Sequence, residues 1–128
     1  MQNLEKEDKS KFKMQFKSRI YKWVLSLIKI LDTLYKKDFV SETIGKQLLR
    51  SGTSILANYV EANSASSKKD FINFFTHSLK SANESKVWIT LLRDTNKISF
   101  NDFNLLMNEL NQLANMLASS IITMKGNK

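Results

Sequence analysis

The chain has 128 residues, a single-domain length that can bury its own core, and it has no Cys, which excludes disulfides, thiolate chemistry and a cysteine zinc site. No Pro and only three Gly suit helices with short connections, and no apolar run approaches the ~20 residues of a membrane span. Lys and Arg number 20 against 12 Asp and Glu, a net charge of +8, which either attracts polyanions such as nucleic acid or serves only solubility.

Residues 1–14 are polar and lysine-rich and read as a basic flexible arm, ahead of a bundle over residues 15–128. The arm has no apolar segment of the secretory type, so a cytoplasmic protein is the default expectation. Helix 1 is predicted from about Phe16 to Lys36. Its apolar positions Phe16, Ile20, Trp23, Leu27, Ile30 and Leu34 recur at spacings of three and four. Trp23 lies on that arc and reads as core, not as a base-stacking platform. Opposite the arc stand Lys11, Lys22, Lys29 and Lys36, facing water or a partner.

Lys37–Val40 makes a short link. Ser41 reads as the N-cap of helix 2, with Glu42 in the first turn, and the helix runs to about Asn63. Gly45 and Gly52 share one side of it. A helical Gly costs up to ~1 kcal/mol, so the pair suggests close backbone approach, though a tolerated surface Gly is an equal reading at Gly45. Arg50, Asn58 and Glu61 each fall within about 40° of Ser54 at 100° per residue. This polar column is either a hydrogen-bonded network joined by Glu84 of helix 3 or the solvent face of helix 2. Ser54 and Asn58 are poor helix formers, which favours the network.

The residues Arg50, Ser54, Ile55, Ala57, Asn58 and Glu61 resemble a signature of bacterial four-helix bundle proteins, R-x-x-x-S-I-P-A-N-I-A-E-G in the second helix. That family includes proteins encoded by intervening sequences in large-subunit ribosomal RNA genes. It is similar to the accessory variability determinants of diversity-generating retroelements. Leu56 replaces the family's proline, which implies a straighter helix, and Ala62 replaces the glycine that follows the glutamate, which lets the helix run toward Ser64 or Ala65. The resemblance implies a ring-shaped homo-oligomer, a pentamer, and relatives that assist a reverse transcriptase with its template RNA.

Ser67 and Asp70 have capping-box spacing and start helix 3, which runs from Lys68 to about Thr95. Its apolar face holds Phe71, Phe74, Phe75, Ala82, Ile89 and Leu92, with Ser78 and Ser85 set within it. Phe74, Ser78, Ser81 and Glu84 resemble a second family pattern, F-x-x-x-A-x-x-S-x-x-E. The outer side carries Lys69 and Lys97 at heptad steps, flanked by Lys80. Ser99 and Asp102 cap helix 4. Its seam is Phe103, Leu106, Leu110, Leu113, Leu117, Ser120 and Met124, widened by Leu105, Met116 and Ile121. Apolar residues on two sides of helix 4 suggest a second contact, such as another subunit.

No constellation for catalysis is visible. His77 is the single histidine, three scattered glycines cannot form a phosphate loop, and the carboxylates lack the Glu-x-x-His pairs of di-metal bundles. The expectation is therefore an all-α, antiparallel, up-down-up-down four-helix bundle without enzyme activity, metal or cofactor. Residues 1–37 hold ten basic and four acidic groups and residues 67–97 six and three, so the positive charge sits on helices 1 and 3. The candidate nucleic-acid contacts, to RNA or DNA, are Lys22, Lys29, Lys36, Lys69, Lys80 and Lys97, acting on phosphates as point charges. The alternative is a protein-only oligomeric scaffold.

Overall fold

Helix α1 spans Gln2–Leu34, α2 Phe39–Asn63, α3 Lys68–Asp94 and α4 Phe100–Gly126. The structure, a computed structural model, describes residues 2–126, with side chains over 5–126. Helices α1 and α3 each pack on both α2 and α4, while α1 and α3 sit diagonally across the core. Short connections between consecutive helices force antiparallel neighbours, so this is an up-down-up-down four-helix bundle.

The core follows the predicted periodicity. Ile20, Leu27, Leu48, Ile55, Ile89 and Leu110 are completely buried, and so are Leu106, Leu113 and Leu117 of the α4 seam. Each such side chain contributes roughly 1.5–3 kcal/mol over its exposed state. Trp23 is buried as core, and its indole N–H donates to the carbonyl of Leu106 on α4 at 3.0 Å. Helix α4 is less two-sided than its sequence suggests. Ile121 is buried and Met116 half-buried, leaving Leu105 and Ile122 outside.

The helix ends are set by local chemistry. Ser67 accepts from the amide of Asp70 at 3.1 Å and Ser99 from that of Asp102 at 3.0 Å, both as the spacing predicts. Helix α2 is capped differently. Its N-cap is Asp38, not Ser41, and the helix starts at Phe39. The Asp38 carboxylate accepts from both the amide and the hydroxyl of Ser41, at 2.8 and 2.9 Å. These bonds, the backbone amide first, hold the Asp38 carboxyl below the usual carboxylate range. Asn96, with φ of 58°, closes α3 in a Schellman turn whose Lys97 amide donates to Leu92 at 2.8 Å. Lys36, with φ of 57°, takes the equivalent left-handed position after α1. Helix α2 stops at Asn63 with Ser64 as C-cap, short of Ala65.

Helix α1 departs most from expectation. It begins at Gln2 rather than near Phe16, so residues 2–14 of the stretch read as a flexible arm lie in α1, exposed over residues 5–14, while Met1 lies outside the described residues. The extension is tied down at Phe12, whose ring lies 6.1 Å from that of Phe16, and at Lys13, whose carbonyl accepts from the Tyr59 hydroxyl at 3.3 Å. At 33 residues against 25 for α2, α1 overhangs one end of the bundle by roughly two turns.

Candidate nucleic-acid interface

Lys22 and Lys29 lie exposed on the outer face of α1, and Lys69 and Lys80 are exposed on α3. None of the four joins an ion pair among the described residues. Because α1 and α3 are diagonal, the two lysine pairs occupy opposite corners of one bundle. The six lysines therefore do not form one continuous surface on a single chain. Lys36 is exposed beyond the end of α1, with its ammonium 5.3 Å from the centre of the Tyr35 ring. Lys97 stands apart from all of these. It is half-buried, and its ammonium donates to the Asp38 carboxylate at 3.3 Å, tying the α3–α4 loop to the start of α2. Its charge is thus spent within the fold, and it is a poor candidate for a phosphate contact.

The helix 2 column meets α3 in part. Arg50 pairs with Glu84, which also accepts from the Trp88 indole at 3.1 Å. Ser54 accepts from the Ser81 hydroxyl at 2.9 Å, and the Asn58 amide donates to the hydroxyl and carbonyl of Ser54 at 2.9 Å. Glu61 is exposed and outside this set. The set itself lies at the edge of the α2–α3 interface: Arg50 is exposed, and Ser54, Asn58 and Glu84 are half-buried. An exposed ion pair of this kind contributes at most ~1 kcal/mol.

A deeper serine seam runs inside that edge, and sequence reasoning missed its α2 member, Ser51. Ser51 and Ser85 are buried with their hydroxyls 2.8 Å apart, and Ser85 donates onward to the Ser81 carbonyl at 2.8 Å. Ser78, also buried, donates to the Ile55 carbonyl of α2 at 2.8 Å. Small side chains let α2 and α3 approach closely, and each buried hydroxyl has a partner. The available signal was Ser51 beside Gly52, two small residues in a row facing the interior of an otherwise bulky helix. Gly52 serves the other side of α2: a Cβ there would run into Leu27 and sit 3.3 Å from the Trp23 ring.

The remaining surface carries no reactive cluster. His77 is exposed, and no group of three His, Asp or Glu among the described residues is placed to hold a metal ion. No helix among the described residues is long and apolar enough to cross a membrane. Tyr21, Leu25 and Ile28 of α1 and Leu49 and Val60 of α2 are exposed apolar side chains, and Ile28 and Leu49 line one cleft between the two helices. Arg19, at the opposite flank of α1, forks onto Glu109 of α4 at 2.6 and 3.1 Å.

No curated protein matches this chain. Among solved structures it is similar to a protein of unknown function from the S23 ribosomal protein family of Bacteroides thetaiotaomicron. The two share 35% identity with a TM-score of 0.76, over 83% of this chain and 97% of that one. The model of the 23S rRNA-intervening sequence protein family matches residues 10–119, and the chain, a four-helix bundle carrying the expected second-helix signature, belongs to that family.

Proposed function

We propose that this chain is a non-enzymatic, basic, cytoplasmic homo-oligomer that binds RNA or DNA as an accessory to a ribonucleoprotein, of which a reverse transcriptase is one candidate. The observation that carries the reading is the contrast among the lysines. Lys97 is neutralised by Asp38, whereas Lys22, Lys29, Lys69 and Lys80 project from two corners with no acidic partner among the described residues. In this reading assembly resolves their separation: a closed ring joins two different faces of neighbouring protomers, and one that joins the α1 side to the α3 side would bring the two lysine pairs together. The exposed side chains of Tyr21, Leu25, Ile28, Leu49 and Val60 supply apolar surface for such a contact. A pentamer is the expected size, following the resemblance.

The same exposed apolar side chains favour a second reading, a protein-only scaffold that assembles without nucleic acid. Purification separates the two. The nucleic-acid reading expects a mass several times 14.8 kDa by light scattering and an absorbance ratio above that of pure protein before high-salt washing. An oligomer free of nucleic acid at every salt concentration supports the scaffold, and a monomer defeats both readings.

A further inference from the structure

The overhang of α1 roofs a cleft of about 740 Å³ at the end of the bundle where α3 begins, the end that also carries Lys69. Its lining is a chain of rings. Phe16 stacks on Tyr59 at 5.0 Å between centres, Tyr59 meets Phe75 at 5.6 Å, and Phe75 stacks on Phe71 at 4.6 Å. Phe12 extends the chain from the roof and remains half exposed, at 51%. Phe71 is only partly buried, so the chain ends in rings open to solvent on both sides. Met116 and Met124 of α4 complete the apolar wall.

The rim is of different chemistry. Lys9 and Lys13 line it from α1, with Asp8 as the acid beside them, and Asn63 and Asn115 present side-chain amides from α2 and α4. Lys9 and Lys13 fall on the side of α1 that further along carries Phe16, Ile20 and Leu27. Both lysines are exposed, so their ammonium groups are free to meet a ligand at the rim. Two ammonium groups over an aromatic cleft ask for a ligand with flat, apolar faces and anionic groups beside them. Amides at the same rim match polar edges on those flat faces.

We infer that this cleft takes an unstacked base of a single-stranded nucleic acid, with Phe12 and Phe71 against its faces and Lys9 and Lys13 on the flanking phosphates. The inference rests on the nucleic-acid reading above and adds to it a preference for single strands. A base within a duplex cannot enter the cleft, whereas the lysine corners are indifferent to strandedness. Stacking on aromatic side chains is sequence-tolerant, so no base identity is selected.

The test uses the full-length protein and a 12-nucleotide oligouridylate bearing one 5-bromouracil, beside an RNA duplex of equal length. Irradiation of the single-strand complex is expected to crosslink the peptide containing Phe12 or Phe71. The variant Phe12→Leu/Phe71→Leu keeps the bulk and removes both rings. It should lose roughly 5- to 150-fold in single-strand affinity per base displaced and leave duplex affinity unchanged. Lys9→Ala/Lys13→Ala changes only rim side chains, and it should weaken single-strand binding more than duplex binding. Crosslinks confined to the outer faces of α1 and α3, or equal single-strand and duplex affinities untouched by the ring variant, overturn the cleft assignment while leaving the lysine reading intact. Failure of both probes to bind at low salt removes the nucleic-acid reading itself.

Discussion

Replacing each of two helical glycines by alanine measures how closely α1 and α2 approach. In an open helix interior Gly→Ala gains up to about 1 kcal/mol from helix propensity. At Gly45 the new Cβ meets Leu31 Cδ2 at 3.6 Å, an ordinary contact, so Gly45→Ala should keep that gain. At Gly52 the same atom runs into Leu27 Cδ2, and Leu27 is completely buried. Trp23 blocks the other direction, held by its bond to the Leu106 carbonyl. Leu27 must leave its rotamer or the helices must part, an overpacking cost of about 1–3 kcal/mol. Propensity cancels between the two variants, so their difference isolates this cost. At about 3–5 °C per kcal/mol for a domain of this size, Gly52→Ala should melt some 3–15 °C below Gly45→Ala by far-UV circular dichroism. A Gly52→Ala protein melting at or above Gly45→Ala would refute the close approach.

Removing the Ser78 hydroxyl by Ser78→Ala deletes a buried bond to α2 and should cost about 0.5–1.5 kcal/mol in chemical denaturation; a neutral result argues against the serine seam as a stabilising contact. Asn58→Ala should be milder, below about 1 kcal/mol, because Asn58 is half-buried, bonds within its own helix and Ala is the better helix former. Lys36→Gly relieves a left-handed backbone and should be neutral or stabilising by up to about 1 kcal/mol, with a clear loss of melting temperature as the contrary outcome. The Asp38 carboxyl is lowered in the folded state, so its contribution is complete above the unfolded value near 3.8 and disappears as pH falls through the lower native one. Asp38→Asn should therefore lower the melting temperature at neutral pH and flatten its decline below pH 3.8, and a parallel acid profile would show that Asp38 plays no part.

How much of this was legible in the sequence depends on how local each feature is. The caps at Ser67 and Ser99 were readable because donor and acceptor are three residues apart. The α2 cap was assigned to Ser41, since Asp38 is followed by Phe39 and Val40, two apolar residues that read as a link. Phe39 is 81% exposed, a helical residue facing water, which periodicity cannot anticipate. The first turns of α1 have no apolar stripe of their own, and what anchors them, the Lys13 carbonyl on Tyr59, spans 46 residues. Lys22 and Lys29 fall on α1 and Lys69 and Lys80 on α3, as their spacing suggests, whereas Lys36 and Lys97 lie just past those helices, and the separation of the two pairs follows from the diagonal order of the helices. The Lys97–Asp38 pair joins residues 59 apart and left no pattern to find. Glu84 was expected to join the helix 2 column through Arg50 or Asn58, and it does so through Arg50, whereas Ser51 lies outside that column.

The most direct test is a fluorescence-anisotropy titration of labelled RNA between roughly 50 and 200 mM salt, comparing wild type with Lys22→Glu/Lys29→Glu/Lys69→Glu/Lys80→Glu. Six to ten phosphate contacts per assembly predict a loss of about 10³–10⁵ in wild-type affinity across that range. The four exposed side chains bury little, so the variant should keep its mass and melting temperature, bind weakly at the lower salt and show a shallower salt dependence. Absence of wild-type binding at the lower salt, or a variant with unaltered affinity and salt slope, contradicts nucleic-acid binding through these lysines.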